Sequence, residues 1–202
     1  MYAKLLETIS EFSESQISHE RKKTLQPLIE FISQKQTEGE DVRLNFICTH
    51  NSRRSHLAQV WAQAMAYHFR LNNVCCYSGG TEATALYPQV AETLRKQGFE
   101  IDKLSETQNP VYAVKFSGNE HPVIGFSKKY GHHFNPTSGF CAVMTCSSAD
   151  HDCPFIPGAE KRIAIPFEDP KIFDGTNQMD NKYAEKSIEI GREMWFVFKE
   201  AR

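Results

Sequence analysis

Phe46-Ile47-Cys48-Thr49-His50-Asn51-Ser52-Arg53-Arg54-Ser55 decides the fold, because it sets a cysteine six residues before an arginine that is followed at once by a serine. Five residues between Cys48 and Arg54 can curl so that several backbone N–H groups face a tetrahedral oxyanion, while Arg54 offers a planar fork of donors to its oxygens. Cys48 and Arg54 are therefore the candidate catalytic pair, and Thr49, His50, Asn51, Ser52, Arg53 and Ser55 the candidate oxyanion-binding residues. The same donors favour the thiolate, the nucleophilic form of cysteine. Val42, Leu44 and Phe46 alternate ahead of the loop as a strand does, with Ile47 closing the run. Ser55 to Met65 is rich in helix formers and sets Leu57, Val60, Trp61 and Ala64 on one face. A strand, loop and helix in that order bring the positive end of the helix dipole to the anion. Cysteine and arginine at this spacing also arise by chance. The strand before, the helix after and Asn51 favour a functional loop over a buried strand-end cysteine.

Downstream, Phe140 to Thr145 reads as a buried strand that empties into Cys146-Ser147-Ser148-Ala149-Asp150-His151-Asp152-Cys153-Pro154. Small and acidic residues between two thiols suit a loop or marginal helix that must move for the sulfurs to meet. Bonded cysteines need Cα atoms about 4.4–6.8 Å apart, whereas positions seven apart in a helix are roughly 10 Å apart. A structural thiol pair and a metal site remain as other readings. Cys146, His151 and Cys153 would lack a fourth ligand at a familiar spacing. Late in the chain, Phe167-Glu168-Asp169-Pro170 holds an aspartate that the following proline restricts to extended backbone, although Asp-Pro is equally an ordinary turn opener.

The loop resembles the signature of the low-molecular-weight protein tyrosine phosphatase superfamily, which also contains the thioredoxin-coupled arsenate reductases. Cysteine, five residues and Arg-Ser form the shared core, and Asn51-Ser52 matches at the third and fourth positions after the cysteine, while His50 and Arg53 depart from it. The resemblance spans roughly residues 42 to 199 and implies an α/β fold. Its sheet is small and mainly parallel, flanked by helices on both faces, with the anion loop at the carboxyl end of the first sheet strand. In the reductases a cysteine pair with the spacing of Cys146 and Cys153, at a strand end and before a proline, carries the second and third thiols of a redox triad. The phosphatases do not require it. Both branches place an aspartate before a proline late in the chain, which makes Asp169 the candidate acid and Glu168 the weaker one. The resemblance thus implies reduction of arsenate to arsenite by Cys48, Cys146 and Cys153, with no bound cofactor or metal and a thioredoxin-like protein as electron donor. Some of these reductases bind potassium through an acidic residue in the helix after the loop, where this chain has Gln59. The alternatives are a phosphatase acting on phosphotyrosine or aryl phosphates through a cysteinyl phosphate, and a non-catalytic oxyanion or arsenical sensor.

Composition narrows the partners. A formal charge of −2 over 202 residues gives no reason to expect nucleic acid or an anionic membrane surface. Met1 to Thr8 lacks an apolar signal core and no apolar run approaches bilayer length, so a cytoplasmic protein with reduced thiols is expected from its six cysteines.

Residues 1–40 read as a helical extension and 41–202 as the domain proper. Leu5, Leu6, Ile9 and Phe12 form one apolar face and Leu25, Leu28, Ile29 and Ile32 another, with Pro27 placed to open the second helix. His19 to Lys23 reads as a solvated face and Gln34 to Asp41 as a linker. Asn73 to Gly80 is a second strand ending in glycines; Cys75 and Cys76 on it, like Cys141, read as core packing. Pro88 to Gly98 is a helix with a glycine C-cap, and Tyr183 to Lys199 the final helix, with Ile188, Met194, Trp195 and Val197 at near-helical spacing. Some twenty residues exceed the reductase pattern within 109–137. There Val111–Phe116 and His121–Phe126 read as a hairpin, either a surface decoration or a flap over the site.

Overall fold

A computed structural model describes residues 1–202, the side chain of Asp152 excepted. In chain order its elements begin with α1 (Ala3–Ser10), α2 (His19–Glu38), β1 (Val42–Cys48), α3 (Arg54–His68), β2 (Val74–Gly80) and α4 (Pro88–Lys96). Then come β3 (Glu100–Lys103), β4 (Tyr112–Lys115), β5 (Val123–Gly125), β6 (Phe140–Met144), α5 (Ser147–Asp152), β7 (Ala159–Ala164) and α6 (Met179–Ala201). The main sheet runs β2-β1-β6-β7 with every pairing parallel, which is the expected α/β architecture. Side chains alternate across it. Leu44 and Phe46 of β1 with Cys141 and Val143 of β6 join the large core under α2, α3 and α6. Ile47, Ala142 and Met144 face the other way, where Cys146 and Ala149 of the α5 segment, Ile156 and Tyr130 cover them. No helix is long and apolar enough to cross a membrane.

Helix α3, behind the loop that follows Cys48, is buried from Ser55 to Ala66 apart from Gln63. Trp61 at its centre packs edge-on against Phe99, with ring centroids 5.0 Å apart, and donates to Ser187 Oγ on α6 at 2.9 Å. A Cβ at Gly191 would come within 2.7 Å of the Trp61 ring, so the glycine sets how closely α6 lies on α3. Gln63 turns outward to β2, donating to Val74 O (3.0 Å) and accepting from Cys76 N (2.9 Å), and Gln59 donates to Cys76 O (3.0 Å).

Several local expectations are corrected. Pro27 lies inside α2, which begins at its Ser18 cap, where the serine side chain accepts from Arg21 N at 3.2 Å. The proline costs a helix roughly 3 kcal/mol. Burial of Leu25, Leu28, Ile29 and Ile32, at roughly 1.5–3 kcal/mol for each full burial, outweighs it. The Gln34–Asp41 stretch is mostly helix, ending at Gly39 with φ 68°. Within the His19–Lys23 run, Arg21 reaches Glu193 on α6 with two bonds of 2.7 and 2.9 Å. Cys76 and Cys141 are buried, but Cys75 is exposed on the opposite face of its strand. The hairpin forms as β4 and β5 and gains a partner: β3 pairs with β4 to make an antiparallel sheet of order β3-β4-β5. Only Ile101 of β3 is buried, and that left the strand little apolar signature.

Candidate active site

Loop Cys48–Arg54 closes the carboxyl end of β1, where its carbonyls are turned outward and held. Cys48 O accepts from Thr81 N (3.1 Å), Thr49 O from Glu82 N (2.8 Å) and Ser52 O from Tyr87 N (3.0 Å). His50 O accepts from Ser127 Oγ (2.9 Å) and Thr84 Oγ1 (3.2 Å), and Asn51 O from the His56 ring (3.0 Å). In a planar trans peptide the N–H points opposite its carbonyl, so outward carbonyls leave the loop's N–H groups for its interior. Asn51 has φ 44°, in the left-handed region that asparagine tolerates better than most residues. Gly80 makes the fit possible: a Cβ there would lie 2.7 Å from both Asn51 N and Thr49 O.

A polar chain ends on Cys48, the candidate nucleophile. Lys128 N donates to Asn51 Oδ1 (2.9 Å), and Asn51 Nδ2 donates to Ser55 Oγ (2.9 Å), 3.1 Å from Cys48 Sγ. Because Ser55 accepts from the amide, its own hydrogen is free to turn onto the Cys48 sulfur. His56 completes the support. Burial, aided by the Lys128 ammonium, holds its pKa down to about 3, so the ring is neutral. Since Asn51 O can only accept, Nε2 carries the proton, and Nδ1 accepts from Ser78 Oγ at 3.2 Å.

Arg54 donates to Phe167 O (2.9 Å) and Asp169 Oδ2 (2.6 Å), so the candidate acid and the candidate oxyanion clamp are in contact. Asp169 also caps the short 3-10 turn Pro170–Phe173 through Lys171 N at 3.1 Å, a second reason for an aspartate there. Arg54 Nε is buried without a hydrogen-bond partner among the described residues. Arg53 and His50 send their side chains elsewhere. Arg53 donates to Tyr183 OH and Asp174 Oδ2, both at 2.5 Å, with its guanidinium 4.2 Å from the centre of the Tyr87 ring. His50 lies 3.6 Å from Glu82 and is half exposed. From these poses each offers the loop interior its backbone only. Phe167 is itself clamped: Arg21, held by Glu193, sits 4.7 Å from its ring centre, tying α2 and α6 to the loop that receives Arg54. A cleft of about 710 Å³ opens beside that clamp and reaches Ser147.

Cys146 is buried, accepts from Ala149 N at 3.4 Å, and lies 3.5 Å from Thr49 Oγ1. It shares one apolar cluster with Cys48, and partly exposed Cys153 packs against the same cluster. The sequence-predicted thiols are therefore gathered at one end of the sheet. No three His, Cys, Asp or Glu side chains group as metal ligands among the described residues. Gln59, where some reductases carry an acidic residue, is bound to the β2 backbone.

Part of segment 109–137 packs against the loop. Ser127 and Lys128 brace the loop from outside, and Asn109 holds them through bonds to Ser127 N (3.0 Å) and Ser127 O (2.8 Å). Lys128 is buried over the rings of Phe126 (4.5 Å) and Phe134 (5.5 Å), and burial pushes its pKa down to about 8. His56, Ser78, Thr81, Ser127 and Lys128 were not legible as site residues.

Residues 43–113 match the family model of the low molecular weight phosphotyrosine protein phosphatases. Arsenate reductase 2 of Staphylococcus haemolyticus is 29% identical over 125 residues, 62% of this chain and 76% of that protein. A low molecular weight phosphotyrosine phosphatase structure from Vibrio cholerae superposes with a TM-score of 0.53 at 13% identity, covering 79% of this chain and 95% of that one. An arsenate reductase structure in a phosphate-binding state superposes at 0.51 with 15% identity, covering 80% and 99%. The chain is thus similar in sequence to these phosphatases and arsenate reductases, and it has the low molecular weight phosphatase-like fold.

Proposed function

We propose that this chain reduces arsenate to arsenite and is recycled by a thioredoxin-like dithiol protein. The observation that carries the reading is the gathering of Cys48, Cys146 and Cys153 around one cluster beside an anion loop. The similarity to an arsenate reductase at 29% identity supports it. In this reading the Cys48 thiolate attacks arsenic while the loop N–H groups and Arg54 hold the oxygens, and Asp169 protonates the departing hydroxide. Cys146 thiolate then attacks the Cys48 sulfur. The sulfur–arsenic bond breaks with its electron pair left on arsenic, so arsenite departs and a Cys48–Cys146 disulfide forms. Cys153 attacks Cys146, Cys48 leaves as thiolate, and the external dithiol reduces the Cys146–Cys153 disulfide to two thiols, itself becoming the disulfide.

Hydrolysis of aryl phosphates is the second reading, favoured by the contact of Asp169 with Arg54 at 2.6 Å, which sets a carboxyl group at the mouth of the loop. One paired assay separates them: arsenate reduction with a thioredoxin system, and aryl-phosphate hydrolysis, on wild type and Cys153→Ser. The reductase reading expects the variant to lose multiple-turnover reduction and keep hydrolysis. It also expects wild type, after one turnover without reductant, to be lighter by two hydrogens with Cys146 bonded to Cys153. Free thiols after arsenate exposure, with robust phosphatase activity, would reverse the ranking.

A further inference from the structure

Helix α5 is six residues long, too short to stand by its own hydrogen bonds. Its internal ties include Asp150 N to Cys146 O (3.0 Å), followed by Cys153 N to Ala149 O (3.2 Å) just past its end. Among the contacts of the described residues, Arg162 on β7 grips its far end. That guanidinium donates through Nε to Cys153 O (3.0 Å) and through Nη2 to Asp150 O, and pairs with Asp150 Oδ1 at 2.6 Å. Arg162 is itself anchored by the pairing of β7 with β6, where it stands opposite Ala142. One side chain on the sheet therefore supplies the helix with a C-terminal cap and an ion pair, and its grip includes the carbonyl of a thiol residue.

We infer that Arg162 is a positioning residue that holds the Cys146–Cys153 pair in its dithiol form and so sets how readily the pair oxidises. The inference rests on the reductase reading. A disulfide needs Cα atoms about 4.4–6.8 Å apart, while seven residues of helix keep them roughly 10 Å apart, so α5 must unwind. Unwinding moves Asp150 and Cys153 relative to each other, and a guanidinium on a fixed strand cannot follow both. Each of its bonds therefore favours the dithiol. Without the latch the disulfide forms more easily and is harder for a reductant to open.

The test equilibrates the full-length chain with reduced and oxidised glutathione at graded ratios, without arsenate, and counts free Cys146 and Cys153 by alkylation and mass spectrometry. In this exchange the pair gives two electrons and two protons to oxidised glutathione, which leaves as two thiols. Arg162→Ala should raise the disulfide equilibrium constant at least about tenfold, about 30 mV toward a more negative potential. Asp150→Asn keeps the carbonyl bonds, should shift the same way by less, and decides the matter if Arg162→Ala fails to fold. Aryl-phosphate hydrolysis should not change in either variant. An unaltered potential in the folded variants overturns the latch while leaving the thiol pair intact. Absence of the disulfide in wild type at every ratio removes the latch and the reductase reading together.

Discussion

The loop carrying Cys48 and the helix between Cys146 and Cys153 lie at the same end of the sheet, yet they are held in different ways. Carbonyls of the loop are claimed by donors from other segments, and Cys48 is met by a chain of Lys128, Asn51 and Ser55. α5 hangs between a strand end and Arg162. Attack on a small oxyanion demands donors fixed to within a fraction of an ångström, whereas joining Cys146 to Cys153 demands that backbone move. Under the proposed reductase reading, these two demands fall on neighbouring segments, one tied by donors from several elements and one by few hydrogen bonds.

The contrast breaks if loop variants behave as mild ones. Cys48→Ser should take arsenate reduction and aryl-phosphate hydrolysis to background while calorimetry still detects oxyanion binding, because the N–H cradle stays in place. Turnover in that variant would move the nucleophile elsewhere. Arg54→Lys keeps the charge but loses the fork, and should lower kcat/KM by about 10²–10³-fold. Ser55→Ala removes the donor facing Cys48. A hydrogen bond to a charged group is worth about 1.5–3 kcal/mol, so alkylation and turnover should slow by at least about tenfold with the fold intact. An unchanged rate would mean that the Asn51–Ser55 chain holds backbone only.

The smallest effect sharpens the comparison through pH. His56 is held at about 3 by burial, against about 6.5 in an unfolded chain, so the unfolded state binds the proton first. Its contribution is full above about pH 6.5 and is lost as pH falls toward about 3, at about 1.4 kcal/mol per unit. Denaturant unfolding at pH 7.5 and 5.5 should show that slope in wild type and lose it in His56→Gln. Equal slopes would contradict a neutral His56 behind the loop.

The parallel sheet, the strand-loop-helix and the cysteine spacings were readable because each is a local pattern: alternation, periodicity and a fixed count between reactive residues. Support for the loop was not, since Ser78, Thr81, Ser127 and Lys128 come from distant segments that only folding assembles. Arg162 was hidden because Ala159–Ala164 is short, charged and half-buried, with little apolar alternation to mark a strand. Pro27 misled because a local breaker was weighed without the core that overrides it. Arg53 sits in the loop by sequence, yet its side chain serves Tyr183 and Asp174.

The outer strands of the sheet bear on how copies of the chain meet. β2 would expose backbone groups along its free side, but Gln63 occupies those of Val74 and Cys76, and Gly80 is bonded to Lys128 and Tyr130. At the far side β7 carries Glu160, Lys161 and Arg162 in succession. Strand addition from a second molecule would have to displace side-chain amides at one border and bring charges together at the other. Both borders of the main sheet thus carry groups that oppose pairing with a second copy.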